Sequence, residues 1–144
     1  MNALYNKEIL RLAASLPAYR RLDDPVISVT KTSRICGSRI TIAVKIEDGE
    51  VADYSQEVKA CALGQASSAI VAKNIKGKTW HDFAPVAEKV ENLLKEEGPP
   101  PEGEWADFQV FLPARPHKSR HSAILLPFAA LKEAFEKART GSGS

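Results

Sequence analysis

The chain has 144 residues, 44% of them hydrophobic and 26% charged, with a formal net charge of +2. That composition argues against general disorder and against a nucleic-acid partner, and the length suits one domain with a proper core rather than two. No apolar run approaches the roughly 20 residues needed to span a bilayer, and the opening residues lack the order of a signal peptide, so a cytoplasmic protein with no membrane partner is expected. The 2 cysteines then point to thiols or metal ligands more than to a disulfide, although spacing alone leaves a bridge open.

In chain order, Tyr5, Ile9, Leu12, Ala13 and Leu16 recur at helical spacing, and Pro17 stops a helix over about Asn6 to Leu16. "RRLDDP" reads as a polar link. "VISVTKTSR" alternates weakly and "RITIAVKI" cleanly, with Ile40, Ile42, Val44 and Ile46 on one face, so both predict strands. Asp48-Gly49 is a hairpin signal, and "EVADYSQEV" supplies the returning strand. After Cys61, the residues Leu63, Ala66 and Ile70 share a helical face, which Gly77 ends. Thr79 with Asp82 resembles a capping box, followed by a stripe of Phe83, Val86, Val90, Leu93 and Leu94 reaching about Glu97. "EGPPPEGEW" reads as a stiff surface insertion, "ADFQVFLP" as a short strand or extended piece, and "RPHKSRH" as a basic loop. The last helix carries Phe128, Leu131, Phe135 and Ala138. Because proline is tolerated in a first turn, Pro127 sets the helix start near Ser122 to Pro127. The expected fold is α+β: a small three-stranded antiparallel sheet with helices packed on one face. It forms one domain over 1–139, with a flexible tail at 140–144.

Cys36 lies in a turn between two strands, where Gly37 permits a positive φ angle. Cys61 leaves the third strand at a helix start, where free amides and the helix dipole favour thiolate. The hairpin brings both to the same end of the sheet. His121 stands before the last helix, and imidazole with two thiolates suits zinc or iron, one ligand short of four. Isolated cysteines also occur as small buried hydrophobes, so pattern alone leaves a Cys2His site and two core thiols both open. Arg115, His117, Lys118, Arg120 and His121 form a basic cluster that fits either an acidic partner or a solvated loop. His117 and His81 read as surface histidines, and Ser67 and Ser68 as helix serines without a base. A Cys61–His121 hydrolytic pair lacks an orienting group and an oxyanion motif.

The stretches "CGSRITI" and "IEDGEVADYSQEVKACALGQASSAIVAKNIKGKT" resemble the iron–sulfur cluster assembly scaffold family of the NifU N-terminal, IscU and SufU type. In that family a Cys-Gly-Asp turn and a Gly-Cys-Ala-x-x-x-Ala-Ser segment present two cluster-binding cysteines. The likeness runs over nearly the whole chain in the family's order. The long segment between Cys61 and His121 is similar to the SufU branch, and the histidine to the IscU branch. The resemblance implies a non-enzymatic scaffold that binds iron or a [2Fe–2S] cluster, or zinc in its place, and works with a cysteine desulfurase and apo iron–sulfur proteins. It implies a site of Cys36, Cys61 and His121. Ser38 falls where the family has aspartate and Ser122 where it has a third cysteine, so both are accessory candidates with altered chemistry. A serine hydroxyl is a poor ligand for iron or zinc beside thiolate. The alternatives are a zinc-dependent sulfur acceptor for a desulfurase and a degenerate interaction module without metal. The Leu-Pro-Pro-Val-Lys segment by which one branch engages a dedicated chaperone is not reproduced in "FLPARPHKSRHS", so that partner is not expected.

Overall fold

The structure, a computed structural model, describes residues 5–140. Its elements run α1 (Lys7–Ala14), β1 (Ile27–Thr32), β2 (Arg39–Glu47), β3 (Glu50–Lys59), α2 (Ala62–Asn74), α3 (Trp80–Lys95), a 3-10 segment (Gly103–Ala114) and α4 (Lys118–Arg139). The sheet has the order β1-β2-β3 and both pairings are antiparallel. This is the expected α+β architecture. Asp48 and Gly49 both take positive φ, 52° and 81°, which gives the β2–β3 hairpin the twist its strands need.

Alternation along the strands decides which face meets the helices. Ile27, Val29, Ile40, Ile42, Val44, Tyr54 and Gln56 share one row-set by register, and all are buried. Against them pack α2 and α4. Gln56 and Tyr54 are polar members of that face and are satisfied there: the Tyr54 hydroxyl donates to Gln56 Oε1 at 2.7 Å, and Gln56 Nε2 donates to Ser68 O at 2.9 Å. Arg20 reaches the opposite face. There the Arg20 amide donates to Ser55 Oγ at 2.8 Å, and its guanidinium pairs with Asp53.

Local signals set the helix starts. Asn6 caps α1 by accepting from the Ile9 amide at 3.0 Å. Thr79 and Asp82 form the reciprocal capping box of α3, at 3.1 and 3.0 Å. Beyond that box an aromatic cluster closes the hairpin end of the molecule: Phe83 stacks on Phe128 at 5.3 Å and meets Trp80, Trp105 and Phe135 within 6.4 Å. Among the described residues no helix is long and apolar enough to cross a membrane.

Two expectations are corrected. "ADFQVFLP" is neither strand nor extended piece but part of the 3-10 segment. Its buried residues Trp105, Phe108, Phe111 and Ala114 recur at every third position, and three residues per turn is the period that puts them all on one side. The last helix begins at Lys118, not near Ser122 to Pro127, so most of the "basic loop" is its first turn and Pro127 is interior. Pro127 removes the N–H that would serve the Ala123 carbonyl. α2 lies close at this point: Ser67 Oγ donates to the next carbonyl, Ile124 O, at 2.6 Å. α3 ends at Lys95, two residues short of the expected Glu97. Of the tail expected at 140–144, residues 141–144 lie outside the described residues.

Candidate functional site

Cys36 sits in the turn joining β1 to β2. The Gly37 amide donates to Ser33 O and the Ser33 amide to Ser38 O, both at 2.8 Å, with Gly37 at φ 73°. That left-handed backbone is what glycine permits and a side chain resists. The turn also gathers hydroxyls. The Cys36 thiol shares its hydrogen between Ser38 Oγ at 3.1 Å and Ser33 Oγ at 3.4 Å, and Ser33 Oγ lies 2.6 Å from Ser122 Oγ on α4. Burial pushes the Cys36 thiol up. The Ser33 and Ser38 hydroxyls, the Ser38 backbone and Ser122 outweigh it, and the thiol is lowered from 9.0 to about 7. Hydroxyls that accept from the thiol turn and donate to the thiolate, which is why they favour the charged form.

Cys61 is the N-cap residue of α2, but its thiol makes no cap hydrogen bond. Arg39 pairs with Lys59 across β2 and β3, so the turn holding Cys36 and the helix start holding Cys61 leave the same end of the sheet. α2 then runs close against α4. A Cβ placed on Gly64 would stand 2.7 Å from Ala60 Cβ and 3.4 Å from Ala123 O. Gly64 and Ser67 therefore dock the cysteine end of α2 onto the stretch just after His121 and Ser122.

His121 is not in a loop. It is buried in the first turn of α4, and its Nε2 lies 2.9 Å from Ala114 O and 3.1 Å from Arg115 O. His117 is the N-cap residue of that helix and is exposed. Arg115 serves a structural purpose within the basic cluster: its guanidinium donates to Leu93 O at 2.6 Å and to Gly98 O, satisfying a late carbonyl of α3.

The structure thus joins Ser38 to Cys36 directly and Ser122 to Cys36 through Ser33. In this conformation no three His, Cys, Asp or Glu side chains among the described residues stand close enough to hold a metal ion. Cys36, Cys61 and His121 share one end of the molecule as donors of suitable chemistry, two soft thiols and an imidazole, without forming a closed cage. Ser33 was missed by sequence reasoning. Its only signal is a serine three residues before the cysteine, in a turn whose backbone it closes.

This combination of sheet, helices and cysteine-bearing turns has known counterparts. The sequence profile of the NifU-like N-terminal domain matches residues 5–105, and the chain belongs to that family. Over 134 residues it is 28% identical to the iron–sulfur cluster assembly scaffold protein IscU of Thermotoga maritima, covering 93% of this chain and 94% of the relative. The crystal structure of a nitrogen-fixing NifU-like protein (N-terminal) from Brucella abortus superposes with a TM-score of 0.92 at 40% identity, covering 96% of each chain. The SUF-system scaffold structure from Fervidobacterium islandicum shares the fold, with a TM-score of 0.82 at 20% identity over 92% of this chain and 96% of that one.

Proposed function

We propose that this chain is an iron–sulfur cluster assembly scaffold of the NifU/IscU kind, holding iron or a [2Fe–2S] cluster as cargo for transfer to apo-proteins. Family membership over residues 5–105, a span that includes both cysteines, carries this reading. Binding and release are its work, rather than turnover of a substrate. A cysteine desulfurase is the sulfur source, and apo iron–sulfur proteins are the recipients. Residues 1–139 act as one scaffold domain. Cys36, Cys61 and His121 are the cargo ligands, and a ligand from outside the chain completes the set. Ser38 and Ser122, at positions of the family's aspartate and third cysteine, act as hydrogen-bond partners around Cys36, with Ser122 Oγ also 2.6 Å from Ser33 Oγ.

A second reading has its own support in the lowered Cys36 thiol. With zinc as the bound ion, Cys36 thiolate attacks the outer sulfur of a desulfurase persulfide. The S–S bond breaks, the desulfurase thiolate leaves, and Cys36 carries the persulfide.

Metal and acid-labile sulfide per chain in anaerobically purified protein, beside Cys36→Ala and His121→Ala, test these readings. Iron and sulfide in equal amounts, lost in both variants, support the scaffold. Stoichiometric zinc without sulfide, together with persulfide on Cys36 after incubation with desulfurase and cysteine, supports sulfur acceptance. A parent protein without metal leaves an interaction module.

A further inference from the structure

His121 is 5% exposed, and both partners of its Nε2 are backbone carbonyls, of Ala114 and Arg115. Carbonyl oxygens only accept, so Nε2 carries the hydrogen, and in the neutral ring the lone pair belongs to Nδ1. The two carbonyls stand at the end of the 3-10 segment and at its C-cap, and each residue has a second hold: Ala114 O also accepts from the His117 amide at 2.9 Å, and the Arg115 guanidinium is anchored to Leu93 O and Gly98 O. His121 also lines a groove of about 880 Å³ that Ser33 and Ser122 line. The groove thus places the ring in the same lining as Ser33 and Ser122, while the two cysteines stand outside it.

We propose that the Ala114 and Arg115 carbonyls are the positioning device of this site: they hold His121 as the Nε2–H tautomer and make Nδ1 the nitrogen it offers to iron or zinc. The proposal rests on the reading of His121 as a cargo ligand. A ring N–H held by backbone carbonyls orients the imidazole and raises the basicity of the other nitrogen. The opposite tautomer sets the Nε2 lone pair against two carbonyl oxygens and forfeits both hydrogen bonds, so the Nε2–H form exceeds it by about tenfold or more. The 3-10 segment, far from a passive insertion, selects the ligating atom.

Long-range proton–nitrogen correlation of the imidazole in metal-free, nitrogen-15-labelled protein reads the tautomer directly. A dominant Nε2–H pattern at His121 is expected; an Nδ1–H pattern or an even average overturns the proposal. Two isosteres then separate holding from ligating, since a glutamine amide nitrogen reaches the Nε2 position and an asparagine amide the Nδ1 position. His121→Gln is expected to unfold at nearly the parent's denaturant midpoint while its cobalt(II) affinity falls about 10- to 100-fold. His121→Asn is expected to lose midpoint as well. Cobalt affinity unchanged in His121→Gln overturns the assignment of Nδ1. A parent protein that binds no cobalt counts against the scaffold reading, and the tautomer pattern by itself still decides whether the carbonyls lock the ring.

Discussion

The two ends of the sheet are built by opposite rules. At the hairpin end, Asp48-Gly49, the Thr79–Asp82 capping box and the cluster around Phe83 each spend their polar or apolar capacity on structure. At the cysteine end, the Cys61 thiol occupies an N-cap without capping, the Cys36 thiol is surrounded by hydroxyls, and His121 spends one nitrogen on the backbone. The difference teaches where to look for chemistry in such a fold: at the end whose donors are arranged without being used up by folding.

The largest expected effect breaks the comparison if the ends are not separable. Phe83→Ala removes a fully buried ring from the hairpin-end cluster and is expected to cost about 3–5 kcal/mol in chemical denaturation. Under native conditions the alkylation rate of Cys36 should stay at the parent's value; a shift of the rate in step with the stability loss would merge the two ends into one unit. Next comes Gly64→Ala. Its Cβ meets Ala60 Cβ at 2.7 Å, a contact that neither small rigid neighbour can relieve by turning away, and the cost is about 1–3 kcal/mol. Because the strain falls between the first turn of α2 and Ala60, the residue before Cys61, this change should alter the accessibility of Cys61 as well, measured by its rate of thiol labelling.

The smallest effect sharpens the contrast by acting on chemistry with little change in stability. In a Cys61→Ala background, alkylation of Cys36 is expected to titrate with a midpoint near pH 7, and Ser33→Ala moves that midpoint upward because one donor to the thiolate is gone. The linkage has a definite sign. Between about 7 and 9.0 the folded chain binds fewer protons at Cys36 than the unfolded chain, so stability rises with pH across that window and the gain is lost as pH falls through 7. Ser33→Ala flattens that rise. An unchanged midpoint in the variant would remove the hydroxyl chain from the account of this thiol.

Much of this was legible in the residues because the informative signals are local. Asp48-Gly49, Thr79 with Asp82, and the alternation of Ile40, Ile42 and Val44 each determine structure within a few positions, and the cysteine motifs carry the family. What escaped was set by distant packing. Trp105, Phe108 and Phe111 repeat at a period that belongs to neither strand nor α-helix, so "ADFQVFLP" read as extended. Pro127 fits a first turn on sequence alone, and its interior position depends on α2 docking beside it through Gly64 and Ser67. The first-turn placement leaves His121 in a loop and hides its burial. Ser33 has no signature of its own, since a serine becomes part of a site only through what folding brings to it.

The pairing of Ser33 with Ser122 has a consequence in time. The two hydroxyls stand 89 positions apart in the chain. At a ribosomal rate of about 5–20 residues per second, the partner of Ser33 follows it by about 4–18 s. Throughout that interval the nascent chain displays Cys36, and later Cys61, with neither the α4 hydroxyl nor the imidazole in place. If His121 is a cargo ligand, as proposed, loading waits until the last helix has been made and docked, after both cysteines have left the ribosome.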